Sequence, residues 1–138
     1  MPFVTQRRVE FRDTDAAGIV HFSAFFPMME TAEHELLRSI GVDVMPRHVP
    51  EGMPITWPRV SAHCDYRAAA RFEDLLTIEV RVAKIGSSSV RYEFVFTRDG
   101  VAIADGALTA VCCRLAPGGG LEKIAIPEET RHRFEAVG

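Results

Sequence analysis

The sequence predicts an α+β fold in which an antiparallel sheet curls around one long helix, and three features predict it. Phe22, Phe25, Phe26, Met29, Ala32, Leu36, Leu37 and Ile40 recur at helical spacing and form a stripe too wide for a helix that merely lies on a surface. Further on the period switches to two: Ile78, Val80 and Val82 oppose Thr77, Glu79 and Arg81, and Val90, Tyr92, Phe94 and Phe96 oppose Arg91, Glu93 and Thr97. Short turns separate these alternating runs, and short turns join antiparallel neighbours. A helix with so broad an apolar face has to be covered, and the sheet has to curl to cover it.

Each element follows in order. Residues 3–11 alternate loosely and predict a first strand, which ends at the turn Asp13–Gly18. A helix then starts near Ser23, which can cap it, and runs to Ile40; about 18 residues make a rod of roughly 27 Å. Pro27 falls in the first turn, where its missing N–H has no partner to lose. Gly41 is the left-handed residue that closes the helix. Residues 42–54, with Pro46, Pro50, Gly52 and Pro54, read as an irregular connection. Ile55–Tyr66 is a strand interrupted by Pro58, which points to an edge or a bulged start. Leu75–Ile85 and Val90–Thr97 are joined through Gly86-Ser87-Ser88-Ser89, and Arg98-Asp99-Gly100 is a hairpin signal. Val101–Leu115 is small or apolar on both faces (Ala102, Ala104, Gly106, Ala107, Ala110) and predicts a central strand pressed against the helix. After the loose turn Pro117–Gly120, Leu121–Ile126 predicts a short strand and Pro127 opens a helix over Glu128–Ala136.

The 138 residues, 47% hydrophobic and 25% charged, suit a single domain over 1–138 with a real core. A formal net charge of −3 removes the footprint of a general nucleic-acid binder. No basic segment with an apolar signal core opens the chain, and no run of about 18 apolar residues occurs, so a cytoplasmic protein with no membrane partner is expected. Cys112 and Cys113 are adjacent and Cys64 stands alone, which is neither a disulfide framework nor a metal spacing; reduced, buried thiols are expected.

Chemistry concentrates in Phe11–Phe22. Asp13-Thr14-Asp15 supplies two carboxylates, but no further acidic cluster follows within the turn, so no metal is expected. Asp13 reads as a turn residue that bonds local N–H groups. Asp15 is different, because Ala16-Ala17-Gly18-Ile19-Val20 lets a substrate approach the backbone and a helix N-terminus follows, whose free N–H groups polarise a carbonyl. A carboxylate beside a polarised carbonyl points to acyl transfer, with Asp15 attacking directly or activating a water.

The run Asp13–Val20, with Phe22 and the long helix after it, resembles the signature of the 4-hydroxybenzoyl-CoA thioesterase family, including its YbgC-like acyl-CoA thioesterase branch. Gly52-Met53-Pro54-Ile55, Asp65-Tyr66-Arg67-Ala68 and Phe72–Glu79 resemble matching segments in register, and together they cover about residues 5–127. The resemblance implies the hotdog fold, and a homodimer or homotetramer whose subunits join their sheets and form active sites between them. It implies Asp15 as the catalytic carboxylate and the backbone amide of Phe22 as the group that polarises the thioester carbonyl. The YbgC-like branch carries His and Tyr at the positions of Phe22 and Phe11; both are Phe in this chain, so the implied chemistry rests on the Asp and the amide. His21, one residue early, is the nearest polar substitute.

The reading is therefore an acyl-CoA thioesterase with an acyl-CoA substrate. Phe22, Phe25, Phe26 and Trp57, with Gly18 beside them, are expected to line a pocket that favours an aromatic or short-chain acyl group. Glu30, four residues after Phe26 on the same helical face, is expected either in a salt bridge or at a polar end of that pocket. No cofactor is called for, coenzyme A entering as part of the substrate. His63 and Asp65 alternate on one strand face and read as an outer-face contact. Two other classes fit the same residues: a hydratase or dehydratase acting on acyl thioesters, and a non-catalytic acyl-CoA-binding module.

Overall fold

Alternation along the strands builds the wall of the fold, and the helical stripe fills it. The computed structural model describes residues 2–45 and 54–137. Its elements run β1 (Phe3–Arg8), α1 (Phe25–Ser39), β2 (Ile55–Thr56), β3 (Arg59–Tyr66), β4 (Leu75–Ile85), β5 (Ser89–Arg98), β6 (Val101–Val111), β7 (Cys113–Leu115), β8 (Leu121–Lys123) and α2 (Glu128–Glu135). Strands β1-β4-β5-β6-β3 form a five-stranded sheet in that order, and β2-β7-β8 a smaller one, with every pairing antiparallel. Register shifts at Arg59/Ser61, Val82/Lys84 and Phe96/Thr97 mark irregularities of the kind that bend and twist strands.

The inward positions of β4 and β5 (Leu76, Ile78, Val80, Val82; Val90, Tyr92, Phe94, Phe96) are all buried, as are Phe25, Met28, Met29, Ala32, Leu36 and Leu37 of α1. A curved antiparallel sheet thus wraps one long helix, the arrangement the alternation and the stripe predict. Small residues on β6 let the helix come close: a Cβ on Gly106 would sit 2.7 Å from the carbonyl oxygen of His63 and 2.8 Å from Sδ of Met29. Strand β6 is inside the sheet, but β5 holds its centre, because β6 borders the edge strand β3.

The first strand is shorter than its alternation suggests. It stops at Arg8 because Asp13 Oδ2 takes the Glu10 N–H at 2.8 Å and winds Phe11–Asp13 into a 3-10 turn, leaving Phe11 exposed. The helix starts at Phe25, not Ser23; Phe22–Ala24 forms a 3-10 turn before it, and Ser23 donates its N–H to the imidazole of His21 rather than capping the helix itself. At the other end Gly41 has φ +76°, with Gly41 N–H bonded to Arg38 O and Val42 N–H to Leu37 O, the paired closure of a Schellman motif.

Pro58 separates β2 from β3, and β3 is an edge strand with a bulged start. The long run 101–115 breaks at Cys112, whose N–H goes to Ser88 O and whose carbonyl takes the Ile124 N–H, so that β7 joins the smaller sheet. The strand expected over Leu121–Ile126 ends at Lys123 for the same reason, since Ile124 and Ile126 bond back to Cys112 and Ser87. Asp99 and Gly100, both at positive φ, make the tight hairpin between β5 and β6. Pro46, Pro50 and Gly52 of the irregular connection, and the Gly52-Met53 part of the Gly52–Ile55 match, lie outside the described residues.

Glu33 interrupts the helical pattern with a charge. Four positions after Met29 and four before Leu37, it lies within the apolar stripe and is only 2% exposed, and Arg59 reaches over from β3 and grips it with both terminal nitrogens, Nη1–Oε2 at 2.9 Å and Nη2–Oε1 at 2.5 Å. Burial raises the Glu33 carboxyl pKa, and the guanidinium opposes that rise.

Candidate active site

The loop from β1 to α1 is held by two carboxylates with different duties. Asp13 is buried: Oδ2 accepts the Glu10 N–H, Oδ1 lies 3.6 Å from Nη2 of Arg7, and its carbonyl takes the His21 N–H at 2.8 Å. It is a structural residue. Asp15 turns the chain through a single oxygen, Oδ1, which accepts the N–H of Ala17 at 2.9 Å and of Ile19 at 3.4 Å. Its Oδ2 has no protein partner among the described residues.

Backbone bonds fix this loop. Asp15 N–H reaches Ile19 O at 2.8 Å, and Gly18, at φ +82°, sends its N–H to Asp15 O at 3.0 Å. A side chain at that φ is strained, so glycine is what the turn requires. Val20 N–H then bonds Ala70 O at 2.8 Å, and Ile19 bridges Arg71, which ties the loop to the connection between β3 and β4.

Phe22 opens the 3-10 turn that leads into α1, so its N–H lies before the first possible intrahelical acceptor and has none among the described residues. The positive end of the helix dipole is added to that unpaired donor. His21 braces the turn: Nδ1 accepts the Ser23 N–H at 3.2 Å and sits 2.7 Å from Ser23 Oγ, while its ring stacks on Phe22 with centroids 4.5 Å apart. This holds the His21 ring in a capping role.

Asp15 and Phe22 share a hollow of about 350 Å³ with Ile19, Val20, Phe25, Tyr66, Arg67 and the floor Ala68-Ala69-Ala70. Its lining is apolar apart from Asp15, Arg67 and the Tyr66 hydroxyl, and Arg67 is engaged with Asp105 through bonds of 3.0 and 3.1 Å. Tyr66 ends β3, packs its ring 5.5 Å from Phe25 and donates its hydroxyl to the carbonyl of Phe22 at 2.9 Å. Neither Tyr66 nor the alanine floor is evident as a site from sequence. The stretch that holds them is visible only as a segment in register, and the Val20–Ala70 pairing that brings it to Asp15 spans fifty residues.

Of the expected pocket residues, Asp15, Phe22 and Phe25 come together, and Gly18 shapes the turn beside them without lining the hollow. Phe26 lies against the main core instead. Glu30 is exposed and sits 3.5 Å from Arg59, and Trp57 stacks edge-on against Phe134 at 6.0 Å. Within one chain these three stand apart from Asp15, because adjacent positions on a helix diverge by about 100° and Glu30 lies about one turn beyond Phe26. Trp57 sits before β3, at the end of that strand opposite Tyr66.

His63 and Asp65 are exposed on the outer sheet face, where His63 borders a second hollow with Arg81, Arg91 and Glu93. The Gly86–Ser89 turn uses its carbonyls to bind Arg131 and Cys112. All three cysteines are free, and desolvation pushes the Cys64 and Cys112 thiols up to about 11, so they are poor nucleophiles at neutral pH. Among the described residues no three His, Cys, Asp or Glu side chains cluster as a metal site, and no helix is long and apolar enough to cross a membrane.

Comparison with known proteins adds a family. Residues 9–134 match the model of the thioesterase-like superfamily. A 1,4-dihydroxy-2-naphthoyl-CoA hydrolase of Prochlorococcus marinus (strain MIT 9313) is 30% identical over 93% of this chain and 80% of its own. The acyl-CoA thioesterase YbgC of Haemophilus influenzae is 25% identical over 92% and 90%. Among solved structures, a gentisyl-coenzyme A thioesterase superposes with a TM-score of 0.80 and 28% identity, over 96% of this chain and 99% of that one.

Proposed function

The chain belongs to the thioesterase-like superfamily, with its hotdog fold, and on that premise we propose that it hydrolyses an acyl-CoA to the free acid and CoA, with Asp15 as the reacting carboxylate and the Phe22 N–H as oxyanion donor. One observation carries this reading. A carboxylate with one oxygen tied to the backbone and the other unpartnered shares an apolar hollow with the residue whose N–H opens the helix.

In the reaction the thioester oxygen accepts from Phe22 N–H, which stabilises the negative charge that develops as the carbonyl carbon becomes tetrahedral. Asp15 either takes a proton from the attacking water or attacks the carbon itself, forming an anhydride that water opens. Both routes break the C–S bond; one proton of water leaves on sulfur as CoA thiol, and the rest of the water supplies the oxygen and proton that complete a carboxylic acid. CoA is substrate, and no other cofactor enters.

The hollow supports an aromatic or short-chain acyl group, since Phe22, Phe25 and Tyr66 stand over three alanines. Relatives that act on dihydroxynaphthoyl-CoA and gentisyl-CoA support an aromatic one. We further expect a homodimer or homotetramer with active sites between subunits, joined along β3. That strand is at the sheet edge, and its Val60 is 63% exposed. In such an assembly Phe26, Glu30 and Trp57 are proposed to meet the acyl group from the partner's side.

The test is thiol release over a panel of aromatic and aliphatic acyl-CoAs, with Asp15→Asn beside the parent. Turnover by the parent that vanishes in the Asn variant supports the reading; an equally active Asn variant overturns the role of Asp15. Light scattering on the same sample reports the assembly, and a monomer defeats the shared-site expectation.

A further inference from the structure

We propose that Tyr66 is a positioning residue for the oxyanion donor, a role that rests on the thioesterase reading and deepens it. The Phe22 N–H has to stay fixed while charge builds on the substrate oxygen, because a donor that must reorganise during the reaction loses most of its advantage. Yet the turn that carries it is a single 3-10 segment with no buried residue, and 3-10 bonds are poorer than α-helical ones. Two side chains hold it. His21 closes it from within by binding the Ser23 N–H, and Tyr66 reaches across from the end of β3 to bond the Phe22 carbonyl at 2.9 Å, so both fix the Phe22–Ser23 peptide that adjoins the one bearing the donor N–H.

The tyrosine is well placed for this. Its ring, half exposed, rests on Phe25, the buried first residue of α1, and its backbone is held at the end of β3, which together aim the hydroxyl. Tyr66 also lines the hollow, so the clamp and the reacting groups occupy one space. Desolvation, with Cys64 and Asp65 nearby, holds its phenol above the ordinary value, and it remains a donor throughout the neutral range. Its bond is made to the enzyme backbone, so it contributes to orientation of the donor and not to affinity for CoA.

Tyr66→Phe keeps the ring and deletes the bond. The expected result is kcat reduced about 5- to 10-fold, the cost of one neutral hydrogen bond, with KM within about twofold. Melting temperature is expected to stay close to the parent's, and a thioether analogue that lacks the carbonyl should bind both proteins equally. Parental kcat in the Phe variant overturns the inference and leaves the thioesterase reading standing. A rise in KM or weaker analogue binding in place of a fall in kcat overturns it in favour of substrate contact, and a kcat loss that tracks a lowered melting temperature overturns it in favour of a merely structural role. A parent that cleaves no thioester overturns the thioesterase reading and this inference together.

Discussion

Asp15 and Glu33 are both acids attached to the same helix and sheet, and the protein treats them in opposite ways. Glu33 is sealed under Arg59, with both of its oxygens bonded by a guanidinium. Asp15 is half-buried, bonded through one oxygen by two backbone N–H groups, and open on the other. The difference teaches where chemistry can sit. A carboxylate with both oxygens bonded to a cation joins two elements together, whereas one oriented by the backbone through a single oxygen is fixed in place with the other oxygen open.

The comparison is broken most severely by exchanging what each acid does. Asp15→Asn is expected to lower kcat by about 10³-fold, near 4 kcal/mol of transition-state stabilisation, while urea denaturation shows stability close to the parent's. Arg59→Met should do the reverse. It strands a buried carboxylate and is expected to cost about 3 kcal/mol in urea denaturation, and Glu33→Gln in the same background should recover part of that loss. His21→Ala removes the cap of the 3-10 turn, and a loss of about 1 kcal/mol with activity retained within a few-fold is expected; a loss of activity as deep as that of Asp15→Asn returns the imidazole to the chemistry.

The smallest effect sharpens the picture with pH. The Arg71 N–H and the guanidinium of Arg98 hold the Asp74 carboxyl below its usual range, the backbone bond first. A depressed folded-state pKa adds stability that is present above the unfolded value, near 3.9, and lost as pH falls through the folded one. Asp74→Asn should therefore leave a thermal melt at pH 7 slightly lower, by roughly 0.5–1 kcal/mol, and narrow its gap to the parent as the buffer is taken below about pH 4.

Much of this was legible from local pattern. Period-two alternation in 75–85 and 90–97 is enough to place seven inward side chains, and Asp99-Gly100 is enough to place a hairpin. The turn role of Asp13 also follows from local chemistry, since its carboxylate bonds a backbone N–H three residues back. What escaped the sequence is what depends on distant partners. Glu33, at stripe spacing, shows no partner in its own helix, and its partner Arg59 lies twenty-six positions on. The start of α1 moves because a histidine two residues upstream can cap as well as a serine. Trp57 reads as a pocket aromatic by composition, and only the packing of α2 reveals that it stacks on Phe134.

The Val20–Ala70 and Ile19–Arg71 pairings make the Asp15 loop and the alanine floor a single piece of backbone. In the proposed reaction a larger acyl group is expected to be admitted by changing Ala68, Ala69 or Ala70, which line the hollow. On the proposed reaction, selectivity is expected to take the form of a size cutoff, with rates level across acyl groups that fit and an abrupt drop at the first ring or methylene that meets the floor.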